Sequence, residues 1–164
     1  MIVREVPWDD PEATALRAAQ RAEIAERYGT PDSEPGIAPS AADMTVFVVA
    51  EDDEGSPIGC GGLRELDEAE AEVKRMFVRR ESRGSGASTA ILDRLESIAR
   101  ERGYSRLLLE TGDRQPDAVR FYLRQGYTRI PNFGHYAGHE ASLCFAKPLL
   151  DLDPAAETGC EGCE

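Results

Sequence analysis

The stretch that decides the fold is AEVKRMFVRRESRGSGASTAILDRLESIARERGYSRLLLETG, residues 71–112. It starts as a strand, passes Gly84 and Gly86, and continues with apolar residues at helical spacing that end before Gly103. Residues 106–111 then form a nearly continuous apolar run, as expected for a strand that is covered on both faces. The stretch therefore predicts a strand, a glycine loop, a helix and a second strand in succession.

Further elements are predicted on both sides of this unit. They are strands at 2–6, 45–50, 58–66, 70–78, 106–111, 127–130 and 141–145, and helices that start at Pro11, near residue 87 and at Pro116. The segment 30–40 contains three prolines and is expected to be a loop or a short irregular helix. The prediction is an α/β (α+β) fold with a mixed, mostly antiparallel sheet of six to seven strands and about four flanking helices. Residues 1–150 are expected to form one domain, and residues 151–164 an acidic tail.

Composition narrows the class of protein. The 164 residues are 41% hydrophobic and 30% charged, with a net charge of −12, which is typical of a globular protein. No apolar run approaches the ~18 residues of a membrane span, and the amino terminus lacks the layout of a secretory signal, so we expect a cytoplasmic protein without membrane association. The charge balance disfavours nucleic acid as a partner. A homodimeric state stays open.

A local reversal of charge accompanies the glycine loop. Residues 73–83 carry five basic residues and one acid in an otherwise acidic chain. Glycines let a backbone approach a ligand, and a helix that begins after them presents unpaired N–H groups to an anion. No Gly-Lys-Ser/Thr ends the loop, and the third glycine of a dinucleotide fingerprint is absent. The pattern favours a polyanionic small molecule, although a solvated edge strand and an ordinary helix start would also account for it.

The stretch 71–112, followed by QPDAVRFYLRQGYTRI at 115–130, resembles the acetyl-CoA-binding core of the GNAT superfamily of N-acetyltransferases. The superfamily's Gln/Arg-x-x-Gly-x-Gly/Ala signature maps onto residues 83–88, and Ser88 departs from it. The resemblance implies acetyl-CoA as cosubstrate and transfer of its acetyl group to a primary amine of a small molecule or of a protein, by direct attack in a ternary complex. The alternative is a catalytically degenerate CoA-binding sensor or partner module.

The resemblance also implies the residues of the CoA site. They are Met76, Phe77, Val78, Arg83, Gly84, Ser85, Gly86, Ala87, Ser88, Thr89, Asp117 and Tyr122. The main-chain N–H groups of Met76 and Val78 would bond the thioester carbonyl and the pantetheine arm, and an aimed backbone donor stabilises the oxyanion formed when an amine attacks. Relatives often carry Asn near the start of the helix that here contains Asp117.

Two kinds of catalytic group are needed. An alkylammonium has a pKa of roughly 10 and must lose a proton before it attacks. Glu72 is the expected general base, and Glu70, on the same face of the strand by alternation, is the second candidate; the alternative for Glu72 is an exposed ion pair with Lys74 or Arg64. Tyr122, which matches the family's helix tyrosine, is the expected general acid for the departing CoA thiolate. Its alternative is a core tyrosine.

The remaining candidates do not assemble a metal site. Cys160 and Cys163 have metal-ligand spacing but lack a second pair, and the glycines beside His135 and His139 argue against a shared helix face. We therefore expect no metal. The acids between residues 65 and 72 favour a small cationic or neutral amine as acceptor.

Overall fold

The computed structural model describes residues 1–31 and 35–149. The strands are β1 (Ile2–Glu5), β2 (Met44–Glu51), β3 (Pro57–Glu65), β4 (Glu70–Val78), β5 (Arg106–Gly112), β6 (Thr128–Ile130) and β7 (Ser142–Pro148). The helices are α1 (Pro11–Tyr28), α2 (Ala87–Glu101) and α3 (Pro116–Arg124), with short 3₁₀ helices at Arg80–Ser82 and Gly134–Tyr136.

The seven strands form one sheet in the order β1-β2-β3-β4-β5-β7-β6. Every neighbouring pair is antiparallel except β4 and β5, which are parallel. The mixed, mostly antiparallel sheet predicted from the sequence is thus confirmed. The described residues contain three α-helices, at the three predicted starts, rather than about four. The predicted tail at 151–164, with Cys160 and Cys163, lies outside the described residues.

The first helix covers one face of the sheet. Asp10 caps its start by accepting hydrogen bonds from two backbone N–H groups, Pro11 occupies its first turn, and Gly29 ends it with a φ of 79°. Its buried residues Ala13 and Leu16 pack against side chains of β2 and β3. No helix among the described ranges is long and apolar enough to cross a membrane.

The second helix packs on the opposite face of the sheet, over the main core. Ile91 and Leu95 lie directly above Gly61 of β3, where a Cβ atom would come within 2.9 Å of Ile91 Cγ2 and 2.7 Å of Met76 Sδ. Gly61 therefore lets α2 approach the sheet closely. This contact sets the distance between the middle of α2 and β3.

The parallel pair β4 and β5 separates partway along its length. Only three pairs of residues are in register, the last being Glu72 with Leu108, whereas β4 runs on to Val78 and β5 to Gly112. Arg75 lies at an irregularity in the β3–β4 pairing and has a φ of 60°. Val73, before Arg75, and Val78, after it, both pack into the core beneath α2. They are five positions apart, an odd number, so the alternation of side chains shifts by one residue at Arg75. Such a β-bulge bends the strand and helps to open the sheet.

Candidate active site

A cleft of about 870 Å³ opens where β4 and β5 separate. Its walls come from the second half of β4, the glycine loop and first turn of α2, the end of β5, α3, the carboxyl-terminal half of α1 and the loop at 138–142. Of the twelve residues predicted for a CoA site, eleven line this cleft: Met76, Phe77, Val78, Arg83, Gly84, Gly86, Ala87, Ser88, Thr89, Asp117 and Tyr122. Ser85 does not line it.

The start of α2 is built to receive an anion. Gly84 and Gly86 have φ values of 81° and 90°, in the left-handed region that glycine favours, and neither would have a neighbour within 4 Å of an added Cβ. No side chain caps α2, and its first turn has no acid, in contrast to α1 with its Asp10 cap and Glu12. The unpaired N–H groups and the positive end of the helix dipole therefore face open space at the cleft.

The basic side chains of the loop are tied to α1. Arg83 donates to the carbonyl oxygen of Val78 at 3.0 Å and, through Nη2, to both carboxylate oxygens of Glu23 at 2.7 and 2.8 Å. Arg80 binds Glu23 and Glu26 of the same helix. These ion pairs offset part of the positive charge predicted from residues 73–83. The main-chain N–H groups of the loop and of α2 are therefore the principal donors for an anion.

The main chain of β4 is open on its separated side. Gln20 of α1 donates from Nε2 to the carbonyl oxygen of Met76 at 2.9 Å, so this carbonyl points away from β3. Because the N–H and C=O of one residue in an extended strand point to the same side, the N–H of Met76 is also directed there. This is the orientation that the oxyanion role of Met76 requires.

Tyr122 lies between the core and the cleft. Its ring contacts Phe121 and Tyr127 edge to face, with centroid separations of 5.2 and 5.8 Å, and burial raises the pKa of its hydroxyl well above the usual value. No hydrogen bond to that hydroxyl occurs among the residues described. Asp117, at the start of the same helix, is largely exposed and forms an ion pair with Arg120.

Glu72 belongs to a buried polar network on β4. Its side chain is only 2% exposed and accepts hydrogen bonds from the Tyr136 hydroxyl at 2.6 Å and from Arg64 at 3.3 Å. Burial raises the pKa of this carboxyl, and the hydrogen bond from Tyr136 and the charge of Arg64 oppose that rise. The carboxylate faces a separate pocket of about 250 Å³ that Tyr136 also lines. Glu70, the second predicted base, binds Arg106 at 2.5 Å and lines neither pocket.

Glu110 and Lys74, which the sequence did not indicate as site residues, also line the large cleft. Glu110 of β5 accepts a hydrogen bond from Ser142 Oγ at 2.6 Å, and burial raises the pKa of its carboxyl. Lys74 donates from Nζ to the Tyr136 hydroxyl at 2.9 Å, and burial lowers its pKa to about 8. The sequence does contain one sign of Glu110: it is the single acid in the apolar run 106–111, and an acid in a buried strand is a candidate site residue. The acids from Glu65 to Glu72 do not line this cleft.

Comparison with known proteins agrees with this geometry. The model of the acetyltransferase (GNAT) family matches residues 4–127. An "IAA acetyltransferase" of Azospirillum brasilense is 40% identical over 96 residues, covering 58% of this chain and 63% of that protein. An uncharacterized N-acetyltransferase of Bacillus subtilis, YsnE, is 32% identical over 93 residues, or 56% of this chain and 62% of the relative. The matched stretch thus spans less than two thirds of either relative.

Solved structures extend the likeness to nearly the whole chain. A proposed acyl-CoA N-acyltransferase from Klebsiella pneumoniae superposes with a TM-score of 0.78 at 28% identity, covering 91% of this chain and 97% of the other. An aminoglycoside 6'-N-acetyltransferase complexed with coenzyme A has a TM-score of 0.66 at 18% identity, with 93% and 99% covered, and shows the common fold alone. The open β4–β5 pair, the uncapped helix after the glycine loop and the family match together establish that this chain belongs to the GNAT acetyltransferase family.

Proposed function

We propose that the protein transfers the acetyl group of acetyl-CoA to a primary amine of a small molecule. The observation that carries this proposal is the continuity of two features in one cleft: the uncapped amino terminus of α2 and the unpaired edge of β4. The first suits a pyrophosphate, and the second suits an extended, amide-bearing chain such as pantetheine. A single ligand that carries both groups is CoA.

The reaction follows from that placement. The amine nitrogen attacks the thioester carbonyl carbon, the carbonyl oxygen becomes an oxyanion, and the C–S bond breaks as the amide forms. The N–H of Met76 would stabilise the oxyanion, since its carbonyl is held on the open side of β4 by Gln20. The departing sulfur needs a proton, and Tyr122 lines the same cleft with a hydroxyl that stays protonated at neutral pH.

The general base has two candidates in different positions. Glu72, with Glu70 as the second choice from the sequence, would act through the buried Tyr136 hydroxyl and Lys74, because its carboxylate does not reach the large cleft. Glu110 lines that cleft directly, and its raised pKa brings it closer to the working pH of a base. We therefore add Glu110 to the predicted bases as the carboxylate best placed for direct proton transfer.

The competing function is a CoA-binding sensor without turnover. Ser88 departs from the family signature, and Asp117 stands where relatives often carry Asn and forms an ion pair with Arg120. Thermal unfolding and a screen of primary amines with acetyl-CoA, monitored as release of free thiol, separate the two functions. CoA at about 100 times its dissociation constant should add about 2.7 kcal/mol to the free energy of unfolding. Stabilisation without thiol release from any amine would favour the sensor, and no stabilisation at millimolar CoA would contradict both functions.

A further inference from the structure

Buried polar atoms without hydrogen-bond partners gather at the cleft. Within the described ranges, four side-chain atoms are buried and unpartnered, and three of them belong to residues that line the cleft: Gln20 Oε1, Tyr28 Oη and Arg75 Nε. Buried polar groups in folded proteins are nearly always paired, so a cluster of exceptions in one cavity indicates a ligand. The three atoms comprise one acceptor, one hydroxyl and one cationic donor.

Arg75 supplies the charge. It has a φ of 60°, which is unusual for a residue other than glycine and is typical of a functional site. Its guanidinium forms no ion pair with a carboxylate of the described residues, and among the charges acting on it are those of Arg21 and Arg64, which are of the same sign. Arg83 and Arg27, which also line the cleft, are paired with Glu23. Arg124 lines the cleft as well, but it is exposed, whereas Arg75 is partly buried and its Nε has no hydrogen-bond partner. Arg75 is therefore the partly buried guanidinium on the cleft wall that would gain most from a bound anion.

Gln20 and Tyr28 supply neutral polar groups on α1. The amide of Gln20 is oriented by its bond from Nε2 to the Met76 carbonyl, which leaves Oε1 to accept from a ligand N–H. The Tyr28 hydroxyl packs against Gly112 at the end of β5, where a Cβ atom would lie 2.0 Å from it. Gly112 thus leaves room for the hydroxyl at the separated ends of the strands, beside Glu110 on the same strand.

We propose that the acceptor is an amino acid, a small amine that also carries a carboxylate, with the carboxylate bound by Arg75 and the amino group directed to Gln20 Oε1 and Glu110. This inference rests on the proposed acetyl transfer and names the class of its acceptor. The partly buried guanidinium of Arg75 matches a carboxylate, and Gln20 Oε1 and the carboxylate of Glu110 are acceptors that the same cleft offers to an ammonium group. The inference narrows the expectation of a cationic or neutral acceptor to a zwitterion. The acids from Glu65 to Glu72, on which that expectation rested, lie outside the cleft.

The test uses matched pairs of acceptors. The twenty L-amino acids and their carboxamides are assayed with acetyl-CoA by thiol release, because each pair keeps the amine and removes the negative charge. A charge-assisted hydrogen bond to Arg75 should give the preferred amino acid a kcat/KM about 10- to 100-fold higher than that of its carboxamide. Carboxamides that react as fast as their parent acids would overturn the inference and leave acetyl transfer intact.

Variants assign the preference to Arg75. Arg75→Gln should remove most of the preference by raising KM for the acid, with little change for the carboxamide. Tyr28→Phe, which removes one oxygen, should weaken the acid and the amide alike. Arg129→Gln is the control, since it removes an equal charge from an exposed position on β6 outside the cleft; its preference should match the wild type. A preference that survives Arg75→Gln would overturn the inference.

Binding separates failure of the inference from failure of the proposed function. The same panel is titrated calorimetrically into the CoA-loaded protein. Amino acids that bind without thiol release, with an affinity that falls about 10-fold or more in Arg75→Gln, would support carboxylate recognition while contradicting acetyl transfer. Absence of both binding and turnover across the panel would overturn the inference.

Discussion

The Tyr136 hydroxyl donates a hydrogen bond to Glu72 Oε2 at 2.6 Å and accepts one from Lys74 Nζ at 2.9 Å. Tyr136 comes from the 3₁₀ helix before β7, so this contact joins that segment to β4 at the last residue paired with β5. Arg64 of β3 completes the network from the other side of Glu72. A buried polar network with each member bonded holds a local geometry firmly, and this one lies at the point where the cleft opens.

Substitution of the three candidate bases should give a graded result. Glu110→Gln is expected to lower turnover at pH 7 by a factor of ~10²–10⁴ with little loss of stability, because it removes a base at the cleft wall. Partial recovery is expected towards pH 10, where more of the amine is already deprotonated. Thiol release measured between pH 6 and 10 checks this.

The other two glutamates serve as comparisons in that series. Glu72→Gln should reduce the free energy of unfolding by about 1–3 kcal/mol, since it disturbs buried hydrogen bonds to Tyr136 and Arg64. Glu70→Gln should have the smallest effect on turnover, because that side chain binds Arg106 outside the cleft. If Glu72→Gln proved the most damaging to turnover while its stability stayed unchanged, the base would be Glu72, as the sequence alone suggests.

The sheet, the glycine loop and most of the CoA site could be predicted from the sequence because they depend on local signals. Alternation, helical spacing and the glycines of residues 83–88 are readable along the chain, and α2 begins at Ala87 as expected. Gly29 ends α1 in the left-handed conformation, and a glycine after a helical run is itself a local stop signal. Such features require only neighbours in sequence.

The chemistry of the cleft depends on contacts between distant residues and was less accessible. Glu72 and Tyr136 are 64 positions apart, and no pattern in the sequence indicates that a loop tyrosine covers this carboxylate. The ion pair of Arg83 with Glu23 joins residues 60 positions apart. The sequence therefore could not show that acids of α1 offset part of the positive charge of the loop. The positive φ of Arg75 reflects an irregular pairing with β3, which alternation cannot reveal.

Lys74 should make stability depend on pH in the alkaline range. Burial lowers the pKa of Lys74 from 10.5 to about 8 in the folded protein. Between these values the unfolded chain binds more protons than the folded one, so the contribution of Lys74 to stability rises with pH. The cost of its burial is full below pH 8 and vanishes above pH 10.5, a change of up to about 3 kcal/mol.

Comparison with Lys74→Met isolates this contribution, because methionine has a similar length and no charge. The free energy of unfolding, measured by urea titration from pH 7 to 10.5, should rise in the wild type relative to the variant. The free energy of unfolding of Lys74→Met, relative to that of the wild type, should therefore be highest at pH 7 and lowest at pH 10.5. A difference that stays constant over that range would mean that Lys74 keeps an ordinary pKa when folded.

Ser88→Asp should affect helix stability and CoA binding in opposite directions. Ser88 lies in the uncapped first turn of α2, where a carboxylate interacts favourably with the helix dipole by about 0.3–1 kcal/mol. The same carboxylate would repel a pyrophosphate and compete for the N–H groups. We expect the unliganded protein to melt at the same temperature or slightly higher, while the dissociation constant of CoA rises at least 10-fold.

Two controls complete that experiment. The side chain of Ser88→Asn has the same shape as that of Ser88→Asp but no charge. Ser88→Asn should therefore bind CoA nearly as well as the wild type does. Pantetheine, which has no phosphate, should bind Ser88→Asp and the wild type equally. Unchanged CoA affinity in Ser88→Asp would place the phosphates away from the start of α2.

The hydroxyl of Tyr122 should be needed for turnover and dispensable for folding. Tyr122→Phe keeps the ring that packs against Phe121 and Tyr127 and removes one oxygen at the cleft. Loss of a positioned acid typically costs a factor of ~10²–10⁴. Because the unperturbed pKa of a thiol is roughly 8.5, some CoA can leave as thiolate, and we expect a loss of about 10² with CoA affinity nearly unchanged.

Tyr127→Phe is the matched control for this prediction. The Tyr127 hydroxyl donates to Glu96 of α2 at 2.9 Å, and Tyr127 does not line the cleft. Its removal should lower the free energy of unfolding by about 1–3 kcal/mol, since Glu96 loses a buried partner, while turnover per folded molecule stays near that of the wild type. Turnover, CoA affinity and urea unfolding are measured on the same preparations. Wild-type turnover in Tyr122→Phe would exclude Tyr122 as the acid, whereas loss of stability together with CoA binding would make it a core tyrosine.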